Sequence, residues 1–143
     1  MCLIIKDSWE RPDIKTEDYV NFVQIAEQDM KVYKYFYEND NALTEETEYS
    51  TPYRGFPITG DGDIMTAKKF GVYKRRYYNP KWVTRNSFAL FVDAGIHAYT
   101  KKPCYWGSRA VITKCIIPKG TPYILGTGDE IVTLQLIVPP LKK

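Results

Sequence analysis

The sequence holds a single histidine, His97, and only three cysteines, Cys2, Cys104 and Cys115. One imidazole excludes a multi-histidine metal centre. Three thiols without paired spacing make neither a zinc set nor the even framework of a disulfide-stapled secreted domain. No apolar run approaches the roughly 18 residues of a membrane span. The opening Met1-Cys2-Leu3-Ile4-Ile5-Lys6-Asp7 lacks the basic flank and long apolar core of a signal peptide. These absences point to the cytoplasm, without export and without a membrane partner. Phosphate-loop, dinucleotide and nucleophile-elbow signatures are missing. Gly60-Asp61-Gly62-Asp63 lacks the ligand ladder of a calcium loop and reads as a turn. The expectation is therefore no catalytic residue, no cofactor and no metal, with the reading leaning away from an enzyme.

What is present is aromatic and unevenly charged. Twelve tyrosines favour strands and also suit binding surfaces, where they give rigid contact area at low entropic cost. The length of 143 residues fits one domain spanning 1–143 that can fold without staples. A net charge of +3 conceals two opposed segments: residues 1–50 carry 5 basic and 12 acidic side chains, residues 51–143 carry 15 and 5. Such segments either pack together or form faces of opposite sign.

The patterning predicts an α+β fold, mostly antiparallel β-sheet with one or two short helices. Thr16 followed by Glu17 and Asp18 reads as a helix start, with Tyr19, Phe22, Val23 and Ala26 at helical spacing. A second, two-turn helix is expected from Asp63 to Lys69, stopped by Gly71. Strands are expected at Met30–Tyr37, Val72–Tyr78, Phe88–Val92, Arg109–Ile117 and Tyr123–Leu125. A hairpin loop follows at Gly126–Asp129, and one last alternating strand has Val132, Leu134, Leu136 and Val138 facing one way. Glu38-Asn39-Asp40-Asn41 reads as a turn and Glu45–Glu48 as a solvated loop. The Pro and Gly density over residues 50–63 argues against any regular element there.

The strongest local signal is residues 64–92, with seven basic side chains and no acid. Guanidinium groups bind phosphate bidentately and aromatic rings stack on bases, so Lys74, Arg75, Arg76, Tyr77, Tyr78 and Trp82, with Arg54, are candidate ligand-binding residues. The bland alternative is a basic solvated surface facing the acidic first third. His97, after a predicted strand, completes the candidate set as a base or a ligand-positioning group, against a purely structural role.

The order of several segments is familiar: Met1-Cys2-Leu3, Ala26-Glu27 leading into Val32-Tyr33-Lys34, Ser50-Thr51-Pro52-Tyr53-Arg54-Gly55-Phe56, Gly95-Ile96-His97-Ala98-Tyr99, and Lys114 through Tyr123. Together they resemble a group of short uncharacterised proteins of gut bacteria and their phages. The resemblance spans most of the chain and is most specific in Lys114-Cys115-Ile116-Ile117-Pro118-Lys119-Gly120. The sequence departs from that pattern between Lys101 and Ser108, where the group tends to carry a longer helical segment. The resemblance implies a phage or prophage setting, hence a host cytoplasm.

Three functions follow as expectations. The first is a non-enzymatic phage-type binding protein, an anti-defence factor that sequesters a nucleotide signal or other small anion, or blocks a host protein. The second is an ADP-ribosyltransferase-like enzyme, suggested by His97, Tyr99 and the late Glu130. The third is protein–protein contact through the tyrosine-rich strand Tyr33, Tyr35 and Tyr37. Small sequestering proteins often enclose a ligand across a symmetric interface, so a homo-oligomer is expected.

Overall fold

Alternation decides the longest strand. In Met30–Asn41 (β3), Val32, Lys34 and Phe36 are buried while Tyr33, Tyr35 and Tyr37 are half-exposed, so one face meets a core and the other carries tyrosines. A computed structural model describes residues 3–8, 13–41, 46–51, 57–58, 62–76, 88–103 and 110–141. Before β3 lie Leu3–Ile4 (β1) and Val23–Ile25 (β2). After it come Glu46–Ser50 (β4), Pro57–Ile58 (β5), Asp63–Thr66 (β6), Gly71–Arg76 (β7), Phe88–Ala94 (β8) and Ile96–Tyr99 (β9). Ala110–Ile117 (β10), Pro122–Leu125 (β11), Glu130–Thr133 (β12) and Gln135–Val138 (β13) close the chain. All their pairings are antiparallel.

The strands form two sheets. The smaller has the order β1-β8-β7, the larger β2-β11-β12-β9-β3-β10-β13-β6, with β4 and β5 extending from the far end of β3. Their packing divides the apolar residues into two clusters. One is built from Val32, Phe36, Ile96, Ala98, Cys115, Ile117, Ile131, Leu136 and Val138 of the larger sheet. The other joins Leu3, Leu90 and Val92 of the smaller sheet to Ile124 and Val132 of the larger one. Ile131 and Val132 are neighbours on β12 yet serve different clusters, so this strand is buried on both faces. Val132 and Ile131 are each fully buried, and burying such a side chain contributes about 1.5–3 kcal/mol.

The mostly antiparallel β-fold with a short helix is as the sequence predicts, but several local expectations fail. The helix at Thr16–Phe22 is a 3-10 helix. Its first turn is secured by the Lys15 N–H donating to the Asp18 carboxylate at 2.9 Å rather than by the Thr16 hydroxyl. Val23 leaves it to enter β2, which gains a partner in β11 that a longer helix would forfeit. The helix expected over Asp63–Lys69 is instead strand β6, paired with β13 from Asp63↔Val138 to Thr66↔Gln135. Local capping signals lose there to a complete ladder. Glu38–Asn41, expected as a turn, and Glu46–Glu48 of the expected Glu45–Glu48 loop are instead paired strand residues of β3 and β4, Asn41 opposite Glu46, while Glu45 lies outside the described residues. Pro57 and Ile58 form a short strand within the segment expected to be irregular. The last predicted strand breaks at Leu134: Val132 and Leu134 serve one cluster, Leu136 and Val138 the other. Thr133, expected on the wet side, is fully buried with its hydroxyl 3.2 Å from the carbonyls of both Pro122 and Gln135.

Among the described residues no helix is long and apolar enough to cross a membrane.

Candidate functional site

The chain changes sheet at Gly95. Strand β8 belongs to the smaller sheet and β9 to the larger, and only one residue joins them. Gly95 turns the corner with φ +135°, and a Cβ there would lie 2.5 Å from Val132 Cγ2, so the corner needs a residue without a side chain. A cavity of about 360 Å³ opens beside this corner. Its walls are the corner itself from Asp93 to His97, strand β6 with Met65 and Thr66 and the following Ala67, then Thr51, and Lys34 from β3.

Lys34 is the unusual member. Its side chain lies on the core face of β3 between Val32 and Phe36, and the residue is 6% exposed. The ammonium donates to the His97 carbonyl at 2.6 Å and sits 5.9 Å from the centre of the Phe36 ring. Neither contact carries a negative charge. Burial pulls the lysine from its usual value of 10.5 to about 8. Cys115, fully buried nearby, is pushed by its own burial up to about 11, so it stays a neutral thiol and supplies no counter-charge at neutral pH. Among the described residues no ion pair involves Lys34. A cation removed from water without a partner is expensive unless something anionic, or solvent, compensates it.

His97 is the second residue of β9 rather than a residue of the loop before it. Its Nε2 lies 3.1 Å from the Asp93 carbonyl, which can only accept, so this nitrogen carries the proton. Burial, with a smaller contribution from the Lys34 charge, lowers its pKa, so the imidazole is neutral at pH 7. The cavity is thus lined by Lys34, two threonines, Asp93 and His97, with apolar surface from Met65, Ala67, Ala94 and Ile96. This mixture suits recognition of a small molecule with an anionic group and an apolar body.

The predicted site residues separate. His97 lines the cavity. Lys74, Arg75 and Arg76 are exposed on β7. The register pairs Gly71 with Ala94 at the cavity end and Arg76 with Phe88 at the other. Five residues of extended chain therefore carry Arg76 about 16 Å along the strand from the cavity end. Arg54, Tyr77, Tyr78 and Trp82 lie outside the described residues. Sequence reasoning missed Lys34, Thr51 and Asp93. The signal for Lys34 was present in the alternation Val32-x-Lys34-x-Phe36, which sets a lysine on an apolar face.

His97, Tyr99 and Glu130 share one sheet face. Glu130 pairs with Tyr99 across β12 and β9, and His97 is two residues along β9 on the same side. Tyr99 also stacks on Tyr35, ring centres 6.1 Å apart, and Tyr35 meets Tyr37 edge-on at 6.2 Å. Burial raises the pKa of Glu130, and burial with the nearby Glu130 charge raises that of Tyr99.

Among the described residues no group of three or more His, Cys, Asp or Glu side chains could hold a metal ion. Comparison with protein-family models, curated proteins and solved structures finds no match to this chain.

Proposed function

We propose that this protein is a non-catalytic binding protein that encloses a small organic anion in the cavity beside Lys34. The supporting observation is the buried ammonium of Lys34, whose described partners are a carbonyl and a ring, on the wall of a 360 Å³ cavity. An incoming phosphate or carboxylate would supply the missing counter-charge, and charge-assisted hydrogen bonds are the stronger ones. The volume sits near the lower end of ligand pockets. It favours a molecule of nucleoside-monophosphate size or smaller over a linked dinucleotide. The resemblance to short phage-type proteins makes a nucleotide signal of host defence the first class to try. Titration calorimetry against mononucleotides, sugar phosphates and small carboxylates is the test. Binding by the wild type and at least tenfold weaker binding by Lys34→Met is the expected result. A silent panel, or equal binding by the variant, removes the reading.

A second reading, transfer of an ADP-ribosyl group, is favoured by the placement of His97, Tyr99 and Glu130 on one face. Incubation with labelled NAD tests it: turnover or labelled protein that disappears in Glu130→Gln supports it, and an inert wild type ends it.

A further inference from the structure

The basic stretch that the cavity does not absorb has its own geometry. Strand β7 is an outer strand of the smaller sheet, and among the described residues only β8 pairs with it. Lys74, Arg75 and Arg76 are consecutive on it and all exposed. Lys74 and Arg76, two residues apart, project to the same side about 6.7 Å from one another. Phe88, on the neighbouring strand β8, is opposite Arg76 in the register, and its ring centre is 4.7 Å from the Lys74 ammonium. On the other side Arg75 follows Tyr73, which stacks on Phe91 with ring centres 5.5 Å apart. The acidic Glu17 and Asp18 belong to the 3-10 helix whose Tyr19 and Phe22 pack with Val72, at the start of β7. Asp18 is engaged there with Lys15. Among the described residues no ion pair neutralises the three cations.

We infer that this end of the β7–β8 pair is a binding surface for single-stranded nucleic acid, with Lys74 and Arg76 on successive phosphates and Phe88, beside them on β8, as a stacking ring. Two cations at about the spacing of successive phosphates, beside an aromatic ring, match the backbone and an unpaired base of a single strand. A duplex hides its base faces and offers the ring nothing to stack on. This surface is independent of the cavity and of the small anion proposed for it.

Fluorescence anisotropy with end-labelled oligo-dT and oligo-U of about 20 nucleotides, each as a single strand and as a duplex, tests the inference in the full chain. Binding is expected at low salt, stronger for single strands than for duplex. The logarithm of the binding constant should fall with the logarithm of salt at a slope of about −2, as about three phosphate contacts would give. Lys74→Ala/Arg75→Ala/Arg76→Ala, checked for unchanged circular dichroism, is expected to lose at least tenfold. Phe88→Leu keeps the charges and is expected to lose the preference for single strands. Lys34→Met is expected to bind like the wild type. No binding at low salt, equal binding by the triple variant, or equal affinity for single strands, duplex and heparin overturns the inference, the last by reducing it to unselective attraction of polyanions.

Discussion

The Lys34 ammonium and the His97 carbonyl, 63 residues apart in sequence, meet at 2.6 Å on the wall of the cavity. The bond ties β3 to β9 where the register places these strands side by side, Tyr33 opposite Tyr99. It satisfies one of three ammonium donors but none of the charge. The fold therefore carries a desolvated cation on the wall of this cavity.

That cation should appear in the pH dependence of stability. Lys34 titrates at about 8 in the folded chain against 10.5 as the reference value, so between these limits the unfolded state binds more protons and stability rises with pH. Below about 8 both states are protonated and the full penalty applies. Lys34→Met lacks the penalty, so in urea titrations it is expected to be more stable than the wild type at pH 7. The gap should narrow by about 1 kcal/mol between pH 8 and 9. Cys115 and Tyr35, pushed up to about 11 and about 12, act in the opposite sense at higher pH. Measurements below pH 9 keep Lys34 dominant. A gap independent of pH over that interval would contradict the assignment.

The corner beside the cavity sets a second expectation. Gly95→Ala must place a Cβ 2.5 Å from Val132 Cγ2 at φ +135°, inside a fully buried cluster. It is expected to destabilise by about 2 kcal/mol or more, from backbone strain and overpacking together. Gly120→Ala is the control. Its φ is +88° but nothing lies within 4 Å of the added atom, so only the backbone term of about 1–2 kcal/mol applies. Denaturant midpoints of the two variants should rank in that order.

Cys115 should behave as a core residue and not as a nucleophile. It is fully buried, and burial raises its thiol to about 11, which removes both access and thiolate. Peptide mapping after brief iodoacetamide treatment at pH 8 is expected to find Cys115 unmodified in the native chain and modified in urea. Modification without denaturant would place the thiol in an open environment.

Much of the sheet was legible because period-two alternation reports burial directly. Val32, Phe36, Cys115 and Ile117 were readable as strand residues before any coordinates, and they form the centre of one cluster. What was not legible depended on partners distant in sequence. Asp63 and Gly71 carry valid helix-boundary chemistry, yet β6 exists because Leu136 and Ile137 face Met65 and Ile64 across a ladder. Lys34 escaped for a related reason. A lysine between two apolar neighbours reads as surface unless the face it shares is followed through Val32 and Phe36. The basic stretch was visible by composition, but only the register shows that it leads away from His97.

The break at Leu134 gives the last prediction. Thr133 is fully buried, and its hydroxyl, with one proton to donate, lies 3.2 Å from both the Pro122 and the Gln135 carbonyls, where the chain passes from β12 to β13. Thr133→Val keeps the volume and removes the donor, together with the acceptor of a 3.5 Å bond from the Gln135 N–H. Pro122 retains the Leu134 N–H as a partner at 3.3 Å, so its carbonyl stays satisfied. The expected penalty is about 1 kcal/mol, read as a shift of the urea midpoint with unchanged slope. Thr133→Ala adds a cavity and should lose more. If Thr133→Val were as stable as the wild type, the hydroxyl would be dispensable, and the break would be held by the division of Leu134 and Leu136 between the two clusters alone.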